Sequence, residues 1–323
     1  MPYSLSKLGE CEMRAAVFDP DAVGQVVIRD VDMPTLNPYD ALVKVAASSL
    51  TPAEERYSQS KCTPTLLGCD VAGVVEQAAT DGSGPKQGER VIGRVLTGSW
   101  AEYVAVPTRS LAILPENISF EQGAALPTSA LTALYLLESA GAIMGRKVLI
   151  TAANGAVGQF ACQIGRMMDA VVVGQVRRPE HIEHVSKAGA DHVVVSADGS
   201  AARELGPYKF IAEAVGGDVL GNCLSGMIAA DGLCAVYGSI SGKDTTFNVW
   251  SFIPQTRAWV YAFIISNEFD RKPAGEGLGR VIQLVVDGRL QIRIGMRESL
   301  DNIGSAIKEL NEHGVLGKAI INM

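Results

Sequence analysis

The chain has 323 residues, 47% of them hydrophobic and 20% charged, with a formal net charge of -7. The length exceeds what one ordinary core needs, so two domains are expected, and the composition is globular rather than disordered. The acidic balance offers no field for a polyanion and argues against nucleic acid as a partner, while MPYSLSKLGECEMR lacks an apolar signal core and no later run spans a bilayer, so a cytoplasmic protein without a membrane partner is expected.

From Arg14 to about Pro107 the runs AAVF, QVVIRDV, ALVKVAAS, VAGVVEQ, RVIGRVL and WAEYVAV follow one another at close spacing, broken by Pro, Gly and Asp. Many short strands with turn signals predict a barrel-like or sandwich module. At about Ser119 the texture changes to FEQGAALPTSALTALYLLESA, an Ala/Leu-rich helical stretch, and the apolar strand KVLI then enters a glycine-rich turn. Beyond it, strands AVVVGQV, HVVV, FIAEAV and LCAVYG alternate with helical VGQFACQIGRMM, EHIEHVSKAG and LGNCLSGMI. Apolar strands alternating with helices predict a parallel sheet covered on both faces, so the fold class is α/β. Past Ser239 come WVYAFII, the helices GEGLGRVIQLVVDG and DNIGSAIKELNEHG, and a last strand GKAIINM, read as returning to the first module. The cysteines Cys11, Cys62, Cys69, Cys162, Cys223 and Cys234 form no CxxC pair and read as reduced thiols.

The run VLITAANGAVGQFACQIGR sets Ala152, Gly155 and Gly158 in an AxxGxxG arrangement between strand and helix. Gly155 lets the backbone approach a pyrophosphate, Gly158 lets the helix pack close to the strand, and the helix N-terminus offers free N–H groups. The alternative is a turn whose glycines serve packing alone. The next strand, AVVVGQVRRPE, ends where an NAD enzyme carries an acid for the ribose hydroxyls, and here stand Gly174, Gln175, Val176, Arg177 and Arg178. Arginines pair with a 2'-phosphate through charge-assisted bonds worth roughly 1.5 to 3 kcal/mol. That favours NADPH over NADH by about 10- to 100-fold, unless these are ordinary solvated loop residues, as Glu180 nearby would allow.

Together with LGCDVAGVVEQ, GERVIG, GSWAEYVAVP, AALPTSALTALYLL, KAGADHVV, AVGGDVLGNCLSGMIAADGLCAVYGS and GVLGKAII, these residues resemble the medium-chain dehydrogenase/reductase superfamily, in its zinc-free quinone oxidoreductase branch. The resemblance implies a GroES-like, β-rich catalytic domain (1–118 and 260–323) around a doubly wound Rossmann domain (119–259). It implies cofactor contacts from Thr128, Asn154, Gly155, Ala156, Val157, Gly158, Gln175, Arg177, Arg178, His181, Gly238, Ser239, Phe263 and Lys318. His181 stands where the family often has a lysine, and Ser196 where a tyrosine is frequent.

Zinc-dependent relatives hold their metal at positions that look like Thr51, Cys69 followed by Asp70, and Leu126 here. Thr51 and Leu126 are not zinc ligands, so no metal is expected, and Cys69 with Asp70 reads as a small thiol beside a hydrogen-bonded carboxylate. Thr51 also replaces the Asn of a common Asn-Pro-x-Asp motif. Without a Lewis acid, a substrate that spreads the incoming charge by conjugation is favoured, an enone or a quinone. The nicotinamide hydride then adds to the β-carbon, and hydrogen-bond donors meet the oxygen. Candidate donors are Tyr57, Thr51 and Thr128, with Glu54 as a proton relay. A pathway-specific biosynthetic reductase and a non-catalytic NADPH-binding protein remain as rival readings. Finally Trp259, Val260, Tyr261, Ala262, Phe263, Ile264 and Ile265 form an unbroken apolar run, expected to pair with its own copy in a homodimer. In that reading Phe263 brings backbone near the nicotinamide carboxamide.

Overall fold

The structure, a computed structural model, describes residues 12–51, 66–254 and 257–323. The chain divides into two units, Met1–Leu131 with Asp270–Met323, and Thr132–Phe269. In the first unit, β1 (Glu12–Phe18) and β2 (Val26–Asp32) form an antiparallel hairpin. Then come β3 (Asp40–Leu50), β4 (Asp70–Gln77), β5 (Arg90–Arg94), β6 (Tyr103–Pro107) and β7 (Leu111–Ile113). Alternate residues along these strands, among them Val43, Val45, Val71, Val75, Val91, Val104 and Val106, gather in one apolar core, as a two-residue side-chain period requires. The predicted helical stretch after Ser119 is two helices. Ser119 and Gln122 close a capping box on α1 (Phe120–Ala124), and Pro127 opens α2 (Pro127–Ser139), where its missing N–H costs nothing.

The second unit starts with β8 (Lys147–Ile150), α3 (Ala156–Met167), β9 (Val171–Val176), α4 (Ile182–Lys187) and β10 (His192–Val195). It continues with β11 (Tyr208–Glu213), α5 (Gly217–Leu224), β12 (Ile228–Val236), α6 (Val249–Phe252), β13 (Trp259–Ala262) and α7 (Ile265–Glu268). All six strands are parallel, in the order β10-β9-β8-β11-β12-β13. Chain direction across the sheet reverses between β8 and β11, the switch point at which sheets of this order open a crevice beyond their carboxyl ends. The apolar run at 259–265 is a strand over its first four residues only: the Phe263 N–H still reaches the Val236 carbonyl at 2.8 Å, but Ile265 opens a helix. Val260–Ala262 pair with Cys234–Val236, so they extend this sheet, whereas the sequence reading began the other domain at residue 260.

The chain then returns to the first unit with α8 (Ala274–Val286), β14 (Ile294–Ser299), α9 (Ile303–His313) and β15 (Lys318–Asn322). The sheet runs β14-β15-β3-β4-β5-β7, with β6 also on β3. On α9, Ile303, Ala306, Ile307 and Leu310 recur at helical spacing and pack with Ala16, Leu50 and Trp100. Among the described residues no helix is long and apolar enough to cross a membrane.

Candidate functional site

Five residues, 151–155, reverse the chain between β8 and α3. Ala152 takes a left-handed φ of +47° and Gly155 is the extended N-cap of α3, with no side chain capping the first turn. The N–H groups of Ala156, Val157 and Gly158 thus open the helix with its positive end uncovered by a cap. Gly158 is where α3 meets the turn: a Cβ there would lie 2.6 Å from the carbonyl oxygens of both Ala152 and Ala153.

Two buried polar side chains brace this turn. Gln175 accepts the Ala152 N–H at 3.2 Å and donates through Nε2 to the Ser196 carbonyl. Glu213, fully buried at the end of β11, accepts the Val215 N–H at 2.7 Å, the Gly216 N–H at 3.1 Å and the Thr151 hydroxyl at 3.3 Å. Burial raises the Glu213 pKa, and these donors pull it back only partly. The Ile240 and Ser241 N–H groups bond to the Ala214 and Val215 carbonyls at 3.0 and 2.8 Å, which docks the Gly238–Ser239 turn on the same loop. Gln175, expected among the ligand contacts, supports the turn through both ends of its amide.

Past β9, Arg177 and Arg178 are exposed. Arg178 touches Glu180 at 3.8 Å, with both side chains more than half exposed, a pair too weakly held to keep the arginine from a phosphate. His181, half-buried, has its Nδ1 buried without a hydrogen-bond partner among the described residues. The glycine cradle, the two exposed arginines and this orphaned nitrogen suit a phosphorylated dinucleotide.

In the first unit a buried carboxylate gathers residues from four strands and a helix. Asp70 opens β4 and is fully buried, as is Lys318 at the start of β15. Lys318 Nζ lies 3.5 Å from Asp70 Oδ2, which also accepts the Ser49 hydroxyl. Asp70 Oδ1 accepts the Thr128 N–H at 2.8 Å and its hydroxyl at 2.6 Å. Arg94 Nε donates to Thr128 Oγ1 at 3.2 Å, and Ser48 Oγ donates to the Asp70 carbonyl at 2.6 Å.

This network corrects two sequence expectations. Lys318 is not a ligand contact, since its ammonium is sealed in the interior against Asp70. Thr128 is not a donor toward substrate, since its one hydroxyl proton goes to Asp70. Thr51 is half-buried next to β3, and Tyr57 and Glu54 lie outside the described residues. Arg94, Ser49 and Glu213 were missed. Glu213 alone carried a signal, as the acid closing an otherwise apolar strand.

The positions compared with zinc ligands do not fit zinc. Leu126 is a fully buried hydrocarbon, the Cys69 thiol faces the Leu96 carbonyl at 3.3 Å, and both Asp70 oxygens are saturated. Among the described residues no three His, Cys, Asp or Glu side chains gather to hold a metal.

Two family profiles match the chain: the alcohol dehydrogenase GroES-like domain over residues 37–116, and the zinc-binding dehydrogenase profile over residues 156–274. The second match excludes Thr51, Cys69 and Leu126. The quinone oxidoreductase of Pongo abelii is 35% identical over 171 residues, 51% of this chain and 52% of that one. The 2-methylene-furan-3-one reductase of Solanum lycopersicum is 33% identical over 178 residues, 50% of this chain and 46% of that one. The chain thus spans about half the length of the curated relatives it matches. The structure of Escherichia coli quinone oxidoreductase complexed with NADPH superposes with a TM-score of 0.86 at 22% identity, covering 96% of this chain and 100% of that one. At that identity the likeness is one of fold.

Proposed function

Because the chain belongs to the medium-chain dehydrogenase/reductase superfamily, in its quinone oxidoreductase-like branch, we propose that it is an NADPH-dependent reductase of enones or quinones that works without a metal ion. The observation that carries this reading is the saturated carboxylate of Asp70, together with the buried hydrocarbon of Leu126: neither position is open to hold a Lewis acid. NADPH, when bound, supplies the hydride. The uncapped turn of α3 with Asn154, Gly155, Ala156, Val157 and Gly158 holds the pyrophosphate, Arg177 and Arg178 take the 2'-phosphate with His181 beside them, and Gly238, Ser239 and Phe263 line the nicotinamide end. The enone part of the proposal is supported by the tomato relative, whose named substrate is a conjugated methylene ketone.

The test is steady oxidation of NADPH by a panel of enones and quinones in the presence of a chelator. Turnover that survives chelation supports the proposal. One tightly held zinc per chain, with activity lost on its removal, overturns it. Cofactor choice is checked separately: replacing Arg177 and Arg178 by Ala is expected to weaken NADPH binding by about 10- to 100-fold and to leave NADH nearly unchanged. Equal weakening of both cofactors in a fluorescence titration would show that the arginines do not read the phosphate.

The reading includes a homodimer through β13. That strand is the sheet edge, and Trp259 and Val260 on it are 54% and 49% exposed, next to Ile264 at 57%. An apolar edge with unpaired backbone groups invites pairing, and a two-fold axis closes the assembly. The expected result is a dimer by light scattering at micromolar concentration, converted to monomer by Val260→Asp with Trp259→Lys. A wild-type monomer of 34.1 kDa would refute this part.

A further inference from the structure

The carboxyl ends of the parallel strands carry two braces, one in each half of the sheet. Beyond β8 and β9, Gln175 accepts the Ala152 N–H at 3.2 Å and so fixes the turn into α3. Beyond β11 and β12 the brace is Glu213. Its Oε1 accepts the Val215 N–H at 2.7 Å and its Oε2 the Gly216 N–H at 3.1 Å, which holds residues 214–217 in a tight turn at the end of β11. Gly216 and Gly217 take left-handed φ values of +72° and +52° in that turn. The turn after β12 packs against it: a Cβ on Gly217 would stand 3.0 Å from Ser241 Oγ, and one on Gly238 would stand 2.8 Å from the Ala214 carbonyl oxygen. The Tyr237 N–H, donated to the Glu213 carbonyl at 2.8 Å, ties the two strand ends together. With the Thr151 hydroxyl at 3.3 Å, three donors converge on the Glu213 side chain. An amide would turn its NH2 group toward one of them, so an ionised carboxylate is the species that satisfies all three. The link to Thr151 is dispensable to the turn into α3, since the same hydroxyl has the Ala212 carbonyl at 3.3 Å as a second acceptor.

We propose that Glu213 is a positioning residue for the nicotinamide half of the cofactor, acting through the packed 214–217 and 238–241 turns, while Gln175 positions the pyrophosphate independently. The inference rests on the cofactor placement proposed above. A doubly wound sheet takes a dinucleotide across its switch point, one nucleotide to each half. Arg177, Arg178 and the glycine turn belong to the β8–β10 half, which leaves the β11–β13 half, and the turns that Glu213 braces, for the nicotinamide riboside. The brace is also sensitive to pH. Burial holds the Glu213 pKa above its ordinary value, so acidification protonates this carboxylate before an exposed one. The protonated form carries a hydroxyl where an acceptor is needed, and the turn at Val215 and Gly216 loosens. The titratable groups that face the carboxylate are Cys223 on α5, Cys234 on β12 and Tyr237 just beyond it. Burial pushes all three pKa values up, so they stay neutral while Glu213 changes charge. The sign follows: affinity for the nicotinamide half is full above the Glu213 pKa and is lost as pH falls through it.

The experiment titrates wild type, Glu213→Gln and Gln175→Leu, each as the full chain, with two probes by isothermal titration calorimetry. NADP⁺ is the whole oxidised cofactor and is stable to acid. The second probe, 2'-phosphoadenosine 5'-diphosphate, keeps the adenosine half and the pyrophosphate but lacks the nicotinamide riboside. Glu213→Gln is expected to weaken NADP⁺ by about 10-fold, the contribution of one charge-assisted hydrogen bond, and to leave the shorter probe unchanged. Gln175→Leu should weaken both alike, since both carry the pyrophosphate. In wild type the ratio of the two affinities should fall toward acid pH, and in Glu213→Gln it should be low and flat. Taking the ratio cancels the titration of His181 and of the 2'-phosphate, which the probes share. Equal effects of Glu213→Gln on both probes, or a wild-type ratio that does not change with pH, would overturn the assignment while leaving the cofactor reading intact. If Glu213→Gln does not fold, the wild-type ratio decides alone. A wild type that binds neither probe would overturn the cofactor reading and this one with it.

Discussion

Replacing Asp70 by Ala is expected to cost the first unit about 3–5 kcal/mol, the price of leaving a buried cation without its partner. Lys318 is fully buried and Asp70 is the anion beside it, so the ammonium would have neither water nor counter-charge. The Ser49 hydroxyl and the Thr128 N–H and hydroxyl would lose their acceptor as well. Lys318→Met is expected to cost less, because the three remaining donors still satisfy the carboxylate. The double variant Asp70→Ala with Lys318→Met should regain part of the loss, since neither charge is then left buried without its partner. Urea denaturation of the four proteins, read as a double-mutant cycle, checks this. A cycle with no coupling between the two positions would show that the pair contributes nothing.

Gly158→Ala is expected to abolish NADPH binding, by more than about 100-fold, while the parallel sheet persists. The added methyl would lie 2.6 Å from two backbone oxygens, and backbone, unlike a flexible side chain, has nowhere to move. Either the turn opens or α3 shifts away from β8, and in both cases the N–H groups of the first helical turn no longer converge. Circular dichroism should show the fold retained and fluorescence titration the binding lost. Wild-type affinity in this variant would mean that the close approach of α3 is not what builds the site.

The second unit was legible because its periodicity is strong. KVLI and HVVV are strands over the residues that the sequence marks, each a short run of β-branched and aliphatic residues, although β8 is buried past Lys147 and β10 is a half-exposed edge strand. The turn was legible too, because only particular residues tolerate its approach distances. The interior polar network was not. Asp70 gains its role from Lys318, 248 residues away in sequence, and no local pattern encodes a contact of that kind. Arg94 looks like any charged strand terminus until the register of β4 and β5 sets it opposite Asp70. The apolar run at 259–265 misled for a related reason: hydrophobicity showed that it would be used in a sheet or a core, but not that its last residue would turn into a helix. Strand β14 was missed because IGMRES alternates weakly, with half-buried and exposed residues rather than buried and exposed ones.

The place of β15 in the first sheet also governs the order in which the chain is able to fold during synthesis. It lies between β14 and β3, where Ala319 to Asn322 pair with Leu50 to Ala47. The inserted unit is continuous in sequence and can close as soon as it leaves the ribosome. The unit that precedes it cannot. At about 5 to 20 residues per second, Asp70 waits roughly 12 to 50 s for Lys318, and through that interval Ala47–Leu50 of β3 lack the strand that pairs with them. A nascent chain stalled after residue 269 should therefore display a protease-resistant second unit attached to a first unit that is still open to cleavage and to capture by chaperones.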